Sequence, residues 1–220
     1  MLIEIRPAEG GKDSKLLVED MAKSYEKLAA HFGWSLVRLK QGTCLQLNVT
    51  GKNTENLIKE SGGHRFQRIP PTEKYGRTQT STITVAVLPD NKNPKSLIND
   101  SDFKVVWFSG TGNGGQYRNK HQNSCRVTHI PTGLCEVRQD RSRKSNLDSA
   151  KKALIEKINT LNLNTYHNNI SIERKNMVGS GQRGDKIRTI RMCDDVAIDH
   201  RNNHKIRASD YLNGKMYLLW

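Results

Sequence analysis

This sequence has few acidic residues, no recognisable cysteine motif and no long apolar run. Its 220 residues include 22 Asp and Glu against 36 Lys and Arg, which gives a formal net charge of +14. The four cysteines form no C-x-x-C pair, so neither a zinc-ribbon pattern nor a disulfide framework is present. No apolar run approaches the roughly 20 residues of a membrane-spanning helix. These absences argue against zinc-dependent, disulfide-stabilised and membrane-embedded proteins.

The cysteines and histidines suggest neither a metal site nor a cofactor site. The irregular spacing of the cysteines predicts small buried hydrophobic residues in a reducing compartment. They are Cys44, Cys125, Cys135 and Cys193. His200 and His204 have i, i+4 spacing but lack the intervening Glu of a zinc-protease helix. The segment 1–6 alternates like a strand, without a signal-type leader, so we expect a cytoplasmic protein with no metal, no cofactor and no membrane contact.

Basic residues concentrate in one segment. Residues 104–157 hold eleven Lys or Arg against four Asp or Glu. A surface with this excess attracts polyanions, and counterion release makes such binding weaken steeply with salt. We therefore expect RNA or DNA phosphates, more than an acidic protein, as partners of this segment.

A glycine-rich loop, Ser-Gly-Thr-Gly-Asn-Gly-Gly-Gln at 109–116, lies within the basic segment. Its last glycines can adopt positive φ and bring backbone amides close to a ligand, where any side chain would collide. The loop formally contains Gly-x-Gly-x-x-Gly, but no apolar helical stripe follows it, which disfavours a dinucleotide site. A P-loop is disfavoured because Gly-Lys-Ser/Thr is missing. Close backbone approach to a ligand and an ordinary surface turn remain as alternatives.

Hydrophobic periodicity predicts an α+β chain of two small α/β-sandwich domains, the first with one helical layer on a mainly antiparallel sheet. A helix capped by Asp13 or Ser14 and running to Phe32 has apolar residues at helical spacing. Shorter helices are predicted at 53–59 and 146–161, and polar connections at 61–75 and 162–185. Strands are predicted at 1–6, 34–39, 44–49, 78–88, 103–108, 125–130, 134–138, 186–192 and 196–200.

Short motifs stand in order along the chain on both sides of the glycine loop. Pro-Pro-Thr lies at 70–72 within the segment 60–73, and Gly-Gly-Gln closes the loop at 114–116. The other motifs are Arg-Val-Thr-His-Ile-Pro-Thr-Gly at 126–133, Gln-Asp-Arg-Ser at 139–142, Gly-Ser-Gly at 179–181, Arg-Thr at 188–189 and Asp-His-Arg at 199–201. Together they resemble the bacterial-type class I peptide chain release factors, in which Gly-Gly-Gln enters the peptidyl transferase centre and Pro-x-Thr marks factors that read UAA and UAG.

The resemblance implies a domain order and a function. It implies a codon-recognition domain at 1–88, a linker at 89–98, a Gly-Gly-Gln catalytic domain at 99–175, and a segment at 176–220 that packs back on the first domain. On this resemblance we expect no counterpart of the family's helical N-terminal domain, because Met1 stands where the family's second domain starts. The expected activity, exerted only within the ribosome, is hydrolysis of the peptidyl-tRNA ester at UAA and UAG codons in the A site. The expected partners of this monomer are both ribosomal subunits, the mRNA stop codon, peptidyl-tRNA and a glutamine methyltransferase.

The resemblance also assigns roles to individual residues. Gly114, Gly115 and Gln116 are the expected catalytic residues, with the Gln116 backbone N–H donating to the oxyanion and its side chain the target of N5-methylation. The codon-recognition residues are Gly10, Asp13, Gln67, Pro70, Pro71, Thr72, Gln79 and Thr80. The RNA-backbone contacts are Arg118, Lys120, Arg141, Arg143 and Lys144.

Two departures from the family bear on codon reading. Asp13 stands where the family usually has a Glu at the first codon base, and Gln79 stands where it has a His that stacks on codon bases. Loss of the imidazole face predicts weaker discrimination. A codon-independent hydrolase that rescues stalled ribosomes is therefore one alternative, although the nearly complete reading segment favours termination. A non-enzymatic RNA-binding or ribosome-blocking protein is another, against which the intact Gly-Gly-Gln argues.

Overall fold

The computed structural model describes residues 1–41, 44–89, 98–111 and 115–220. The chain divides into two compact units. The first combines residues 1–91 with residues 171–220, and the second comprises residues 92–170. Each unit has its own hydrophobic core.

The first unit is built on an eight-stranded sheet. Its strands are β1 (Leu2–Pro7), β2 (Ser35–Gln41), β3 (Cys44–Thr50), β4 (Gly62–Arg68), β5 (Gln79–Leu88), β9 (Arg188–Arg191), β10 (Val196–Asp199) and β11 (Lys205–Ile206). They lie in the order β11-β10-β9-β4-β5-β1-β3-β2. The β4–β9 pair is parallel, whereas the other neighbouring pairs are antiparallel. The mainly antiparallel sheet expected from the sequence is therefore present.

Helix α1 (Lys12–Phe32) covers one face of this sheet. Leu17, Met21 and Leu28 recur at helical spacing and are buried against the strands, as the periodicity predicted. The predicted cap was wrong. The residue before the helix is Gly11, and the Ser14 hydroxyl donates to the Gly11 carbonyl instead of accepting an N–H from the first turn.

Strand β4 is the largest error in the sequence prediction for this unit. Residues 61–75 were expected to be a polar loop, but Gly62–Arg68 pairs with β5 on one side and with β9 on the other. Its His64 and Arg68 side chains are buried; Arg68 pairs with Asp13 and Asp20, and the His64 ring lies 3.7 Å from the Glu60 carboxylate. Because the buried side chains of β4 are polar, the hydrophobic pattern did not indicate this central strand.

A buried charged cluster joins β4, β9 and the C-terminal residues within the first unit. Arg188 is fully buried, donates through Nε to Asp199 Oδ2 at 3.0 Å and pairs with Glu60. Tyr211 and Trp220 also donate to the Glu60 carboxylate. Burial alone would raise the pKa of Glu60, but the charge of Arg188 and the neighbouring His64 ring lower it to about 2.

The described residues of the second unit form a three-stranded antiparallel sheet, a short 3-10 turn at Asp100–Asp102 and two helices. Its elements are β6 (Phe103–Phe108), α2 (Gln116–Lys120), β7 (Ser124–His129), β8 (Cys135–Arg138) and the first part of α3 (Arg143–Val178). The strand order is β6-β7-β8. Ala150, Leu154 and Ile158 of α3 pack on Cys125 and Val127 of β7. The strands lie within one residue of their predicted positions.

Three other expectations differ from the structure. Helix α3 continues to Val178, well past the predicted end at 161, although its later residues carry no apolar stripe. Helical turns at Ala208–Asp210, Tyr211–Lys215 and Met216–Leu219 were not predicted. Of the cysteines, expected to be buried, only Cys125 is; Cys44 is partly buried, and Cys135 and Cys193 are exposed. Within the described ranges, no helix has the length and apolarity needed to cross a membrane.

Candidate functional site

One end of the first unit's sheet brings most of the predicted codon-reading residues together. Gln67 of β4 lies directly opposite Thr80 of β5 and beside Arg191 of β9 in the strand register. Directly opposite residues of paired strands share a face, with Cβ atoms about 5 Å apart. Gln67 and Thr80 are both partly exposed, so their polar side chains form one accessible pair.

The predicted tripeptide forms a tight turn just beyond β4. The Glu73 N–H donates to the Pro70 carbonyl at 3.0 Å, which closes a four-residue turn. Pro71 occupies the second position, where its fixed φ favours a turn. Pro70 is buried, whereas Pro71 and Thr72 are exposed. The turn therefore exposes Thr72 to solvent, whereas Pro70 has a structural role inside the protein.

Glu73, which had no role in the sequence prediction, organises the loop after this turn. Its side chain is only 4% exposed. One carboxylate oxygen accepts the Tyr75 backbone N–H at 3.0 Å, and the other accepts the Gln79 side-chain amide. The Tyr75 N–H lowers the pKa of Glu73, with help from Gln79 and Arg77, so the carboxylate remains charged. The position of Gln79 is thus set by Glu73.

The Asp13 carboxylate points into the protein. Asp13 is 2% exposed, and its Oδ1 accepts hydrogen bonds from Nε and Nη2 of Arg68 at 3.0 and 2.7 Å. Arg68 also donates to Asp20 at 2.8 Å. Asp13 therefore ties the first turn of α1 to the end of β4. The carboxylate itself is not presented for the base contact that the sequence analysis expected at this position.

Gly10 brings the start of α1 against β5. Its φ is +125°, and a Cβ built there would lie 2.4 Å from the Ser81 Oγ and 2.9 Å from the Ser81 Cα. Only glycine fits both this dihedral angle and this contact. Gly10 therefore lies beside the residue that follows Thr80, and the three predicted reading segments meet at one place.

The glycine loop of the second unit connects β6 to α2. Gly112, Asn113 and the predicted catalytic Gly114 lie outside the described residues. Gly115 has φ −77° and ψ −175°, and a Cβ built on it would have no atom of the described residues within 4 Å. Gly115 therefore does not use the positive φ open to a glycine, and its backbone conformation is open to any residue. Gln116 is exposed at the first position of α2.

Arg118 braces the described ends of this loop. Its Nη2 donates to the Thr111 carbonyl at 2.7 Å and to Gln139 Oε1 at 3.3 Å. The same Gln139 oxygen accepts the Thr111 N–H at 3.3 Å. Arg118 is partly exposed, and its role as an RNA contact stays a prediction. A cavity of about 420 Å³ next to Gly115 is lined in part by Arg118, Gln139 and Arg141.

The other basic residues predicted to contact RNA differ from Arg118. Lys120, Arg141, Arg143 and Lys144 are all exposed. The guanidinium of Arg143 lies 4.1 Å from the centre of the Trp107 ring, a cation–π distance. These four side chains can therefore meet a polyanion without breaking internal hydrogen bonds that hold the loop.

Two domain profiles match the chain. The PCRF domain matches residues 1–85, and the RF-1 domain matches residues 92–201, half of the 220 residues. The first unit's N-terminal part thus corresponds to one profile, and the glycine loop and β9 fall within the other.

Individual relatives match across nearly all of the chain. The chain is 38% identical over 218 residues to peptide chain release factor 1 of Malacoplasma penetrans, covering 96% of this chain and 61% of that protein. It is 37% identical over 225 residues to peptide chain release factor 1 of Thermotoga maritima, covering 98% and 66%. The chain thus spans about three fifths to two thirds of these relatives. In fold, it resembles RF2 of Thermus thermophilus, with TM-score 0.57, 24% identity, and coverage of 100% of this chain and 66% of the other.

Proposed function

Because the chain belongs to the class I peptide chain release factor family, we propose that it terminates translation at UAA and UAG codons. In this proposal it binds the ribosomal A site and promotes hydrolysis of the ester that joins the nascent peptide to tRNA. The unit of residues 1–91 and 171–220 reads the codon, and the unit of residues 92–170 acts at the ester.

The conformation of Gly115 is the observation that carries the hydrolytic part of the proposal. The fold leaves room for a Cβ at this position and sets no unusual φ there. The glycine is therefore accounted for by something that approaches from outside, against which a Cβ would collide. Close backbone approach to a ligand is the established use of such glycines.

The chemistry requires a positioned water and a donor to the oxyanion. Water attacks the ester carbonyl, the bond between carbonyl carbon and tRNA oxygen breaks, and that oxygen takes a proton. Gln116 stands at the first position of α2, where backbone N–H groups have no acceptor inside the helix. We assign its N–H to the developing oxyanion, a contribution of about 2.7–4 kcal/mol in comparable sites.

The Gln116 side chain is assigned to the water pocket. It is exposed, so it can both exclude larger nucleophiles and be reached by a glutamine methyltransferase. Neither role requires proton transfer by this side chain. N5-methylation of Gln116 is thus part of the proposal.

Codon reading is assigned to the convergent end of the first unit's sheet. Thr72, Gln67 and Thr80 offer hydroxyl and amide groups, and a hydroxyl can donate to or accept from either purine. Pro71 and Gly10 shape the surface through backbone geometry. Asp13 acts as a positioning residue through Arg68, because its carboxylate is buried.

The exposed basic residues are assigned to ribosomal or transfer RNA phosphates. These are Lys120, Arg141, Arg143 and Lys144. The chain is proposed to act as a monomer, in the cytoplasm, on both ribosomal subunits. Its affinity should fall with salt, as expected when cations replace counterions on RNA.

Codon-independent rescue of stalled ribosomes is the second candidate function, and Gln79 is the observation that favours it. An amide held by Glu73 replaces the stacking imidazole of the family. The test is release of labelled peptide from ribosomes carrying UAA, UAG, UGA, a sense codon or no codon. Release restricted to UAA and UAG supports termination, equal release on all complexes supports rescue, and codon-dependent binding without release excludes both hydrolytic roles.

A further inference from the structure

The loop between β4 and β5 exposes an aromatic side chain beside the proposed codon-reading residues. Tyr75 is 80% exposed, and it follows Thr72 by three residues. Its backbone N–H binds the same Glu73 carboxylate that holds the Gln79 amide. The Tyr75 backbone and the Gln79 side chain are therefore anchored to a single buried group, on the side of the sheet end where the reading segments meet.

One face of the Tyr75 ring has a cationic neighbour. The Arg77 guanidinium carbon lies 5.3 Å from the ring centre, within cation–π range, and the Arg77 side chain is itself 71% exposed. The Arg77 Nη2 atom also lies 3.5 Å from Glu73 Oε1, so the Glu73 carboxylate helps to hold the guanidinium near the ring. With the ring 80% exposed, a flat ligand can reach it while Arg77 supplies positive charge nearby.

This arrangement matches the chemistry of single-stranded RNA. Unpaired bases stack on aromatic side chains whatever their identity, because every base has a π face, and a nearby Arg attracts the phosphate. Gln79 offers no such face. We infer that Tyr75 is a base-stacking residue of the reading site, taking over the contact that Gln79 cannot make.

The inference rests on the proposed function and specifies its ligand, a base of the mRNA in or next to the codon. Since stacking is tolerant of base identity, Tyr75 contributes affinity to UAA and UAG alike, and the polar groups of Thr72, Gln67 and Thr80 supply discrimination. Tyr75 acts before the ester is hydrolysed, so its loss affects binding and leaves the rate at saturation unchanged.

Three substitutions at one position separate the aromatic face from mere bulk. Tyr75→Phe keeps the ring, Tyr75→Leu keeps apolar volume without a π face, and Tyr75→Ala removes both. The protein concentration at half-maximal release on UAA and UAG ribosomes should rise about ten- to hundred-fold for the Ala and Leu variants. It should stay within a factor of about two for Phe. Because the side chain is exposed, the fold should persist, as circular dichroism can verify.

A second variant tests the exchange with Gln79. Gln79→His restores an imidazole face, so adding Tyr75→Ala to it should cost several-fold less affinity than Tyr75→Ala alone. Binding is measured directly with fluorescently labelled protein, independently of release. Equal binding of Tyr75→Ala and the unchanged chain overturns the inference, whatever the release rates. Failure of the unchanged chain to bind any programmed ribosome overturns both the inference and the proposed function.

Discussion

The two units of this protein hold their proposed working parts in different ways. In the first, carboxylates fix the reading segments: Asp13 grips Arg68, and Glu73 holds the loop that carries Gln79. In the second, the described ends of the glycine loop are held through main-chain groups of Thr111, which bind Arg118 and Gln139. The reading segments, which would present side chains to a base, are held by buried carboxylates. The glycine loop, which would present its backbone, is held at its ends by a few hydrogen bonds.

The two units also differ in why each needs its glycine, Gly10 in the first and Gly115 in the second. Gly10 is required by the fold, because its φ is +125° and Ser81 fills the space of a Cβ. Gly115 is not, because its backbone is extended and its surroundings are open. Replacing the first should damage stability, whereas replacing the second should damage function alone.

The largest effect is expected where the buried charge of the first unit is removed. Arg188→Met leaves Glu60 and Asp199 buried with fewer partners, which should lower the free energy of unfolding by about 3–5 kcal/mol. The measurement is urea unfolding in a Trp107→Phe background, in which fluorescence reports Trp34 and Trp220 of the first unit. Unfolding of the first unit is then followed alone.

The matched control for this experiment lies on the same strand. Arg191→Met removes a half-exposed side chain whose partner, Asp194, is 3.8 Å away. It should cost less than about 1 kcal/mol. Equal losses for Arg188→Met and Arg191→Met would contradict the structural role given to the buried cluster.

Gly115→Ala should lower the rate of peptide release by a factor of about 10² to 10³, the range seen when an oxyanion donor is lost. Ribosome binding should stay within two-fold, and the urea midpoint should not change, because the added Cβ meets no atom of the described residues within 4 Å. Loss of stability in this variant, or parallel loss of binding and release, would remove the distinction between the two glycines.

Acid should destabilise the first unit through its buried carboxylate Glu60. The pKa of Glu60 is lowered to about 2 in the folded chain, so its contribution, on the order of 3 kcal/mol, is present above about pH 4.5 and lost as the pH falls toward 2. Burial also lowers the pKa of His64, so the unfolded chain gains a proton near pH 6.5 that the folded chain resists. Protonation of Glu60 and of His64 therefore both lower the free energy of unfolding as the pH falls. Urea midpoints from pH 7 to pH 3 should therefore fall, and a midpoint independent of pH would refute this assignment.

Gly10→Ala should destabilise the first unit by about 2 kcal/mol, since it combines an unfavourable φ with contact against Ser81. Gly184→Ala is the control in the same unit, because a Cβ there meets no atom within 4 Å. Its effect should be within about 0.5 kcal/mol. Similar urea midpoints for the two variants would show that the Gly10 contact is not required.

The smallest effect is expected for Gln116→Ala. The backbone donor survives this change, so release should slow by only about ten-fold, measured in a single turnover at saturating protein. A loss as large as that of Gly115→Ala would shift the essential role from the backbone to the side chain.

Much of this fold follows from simple periodicity. The alternating residues of β3, the β-branched run of β5 and the helical stripe of α1 each carry a local apolar pattern, so these elements were predicted. Strand β4 was missed because its buried side chains are polar, and the charge of Arg68 is compensated by Asp13, which lies 55 residues away in sequence. Such tertiary compensation leaves no local pattern to detect.

In the candidate site, too, some residues could be predicted from the sequence and others could not. The sequence marked the tripeptide at 70–72 and Gln116, because short motifs carry them. It could not show that Asp13 turns inward, that Glu73 anchors the reading loop, or that Arg118 binds Thr111. Those facts depend on hydrogen bonds between residues whose spacing has no recognisable period.

The central claim is tested most directly by adding the purified chain to ribosomes halted at UAA with labelled peptidyl-tRNA and measuring free peptide with time. With Gln116 methylated or unmethylated, we expect rapid release that depends on the protein and that Gly115→Ala slows by a factor of about 10² to 10³. A folded, ribosome-bound chain that leaves the ester intact in both modification states would contradict the account.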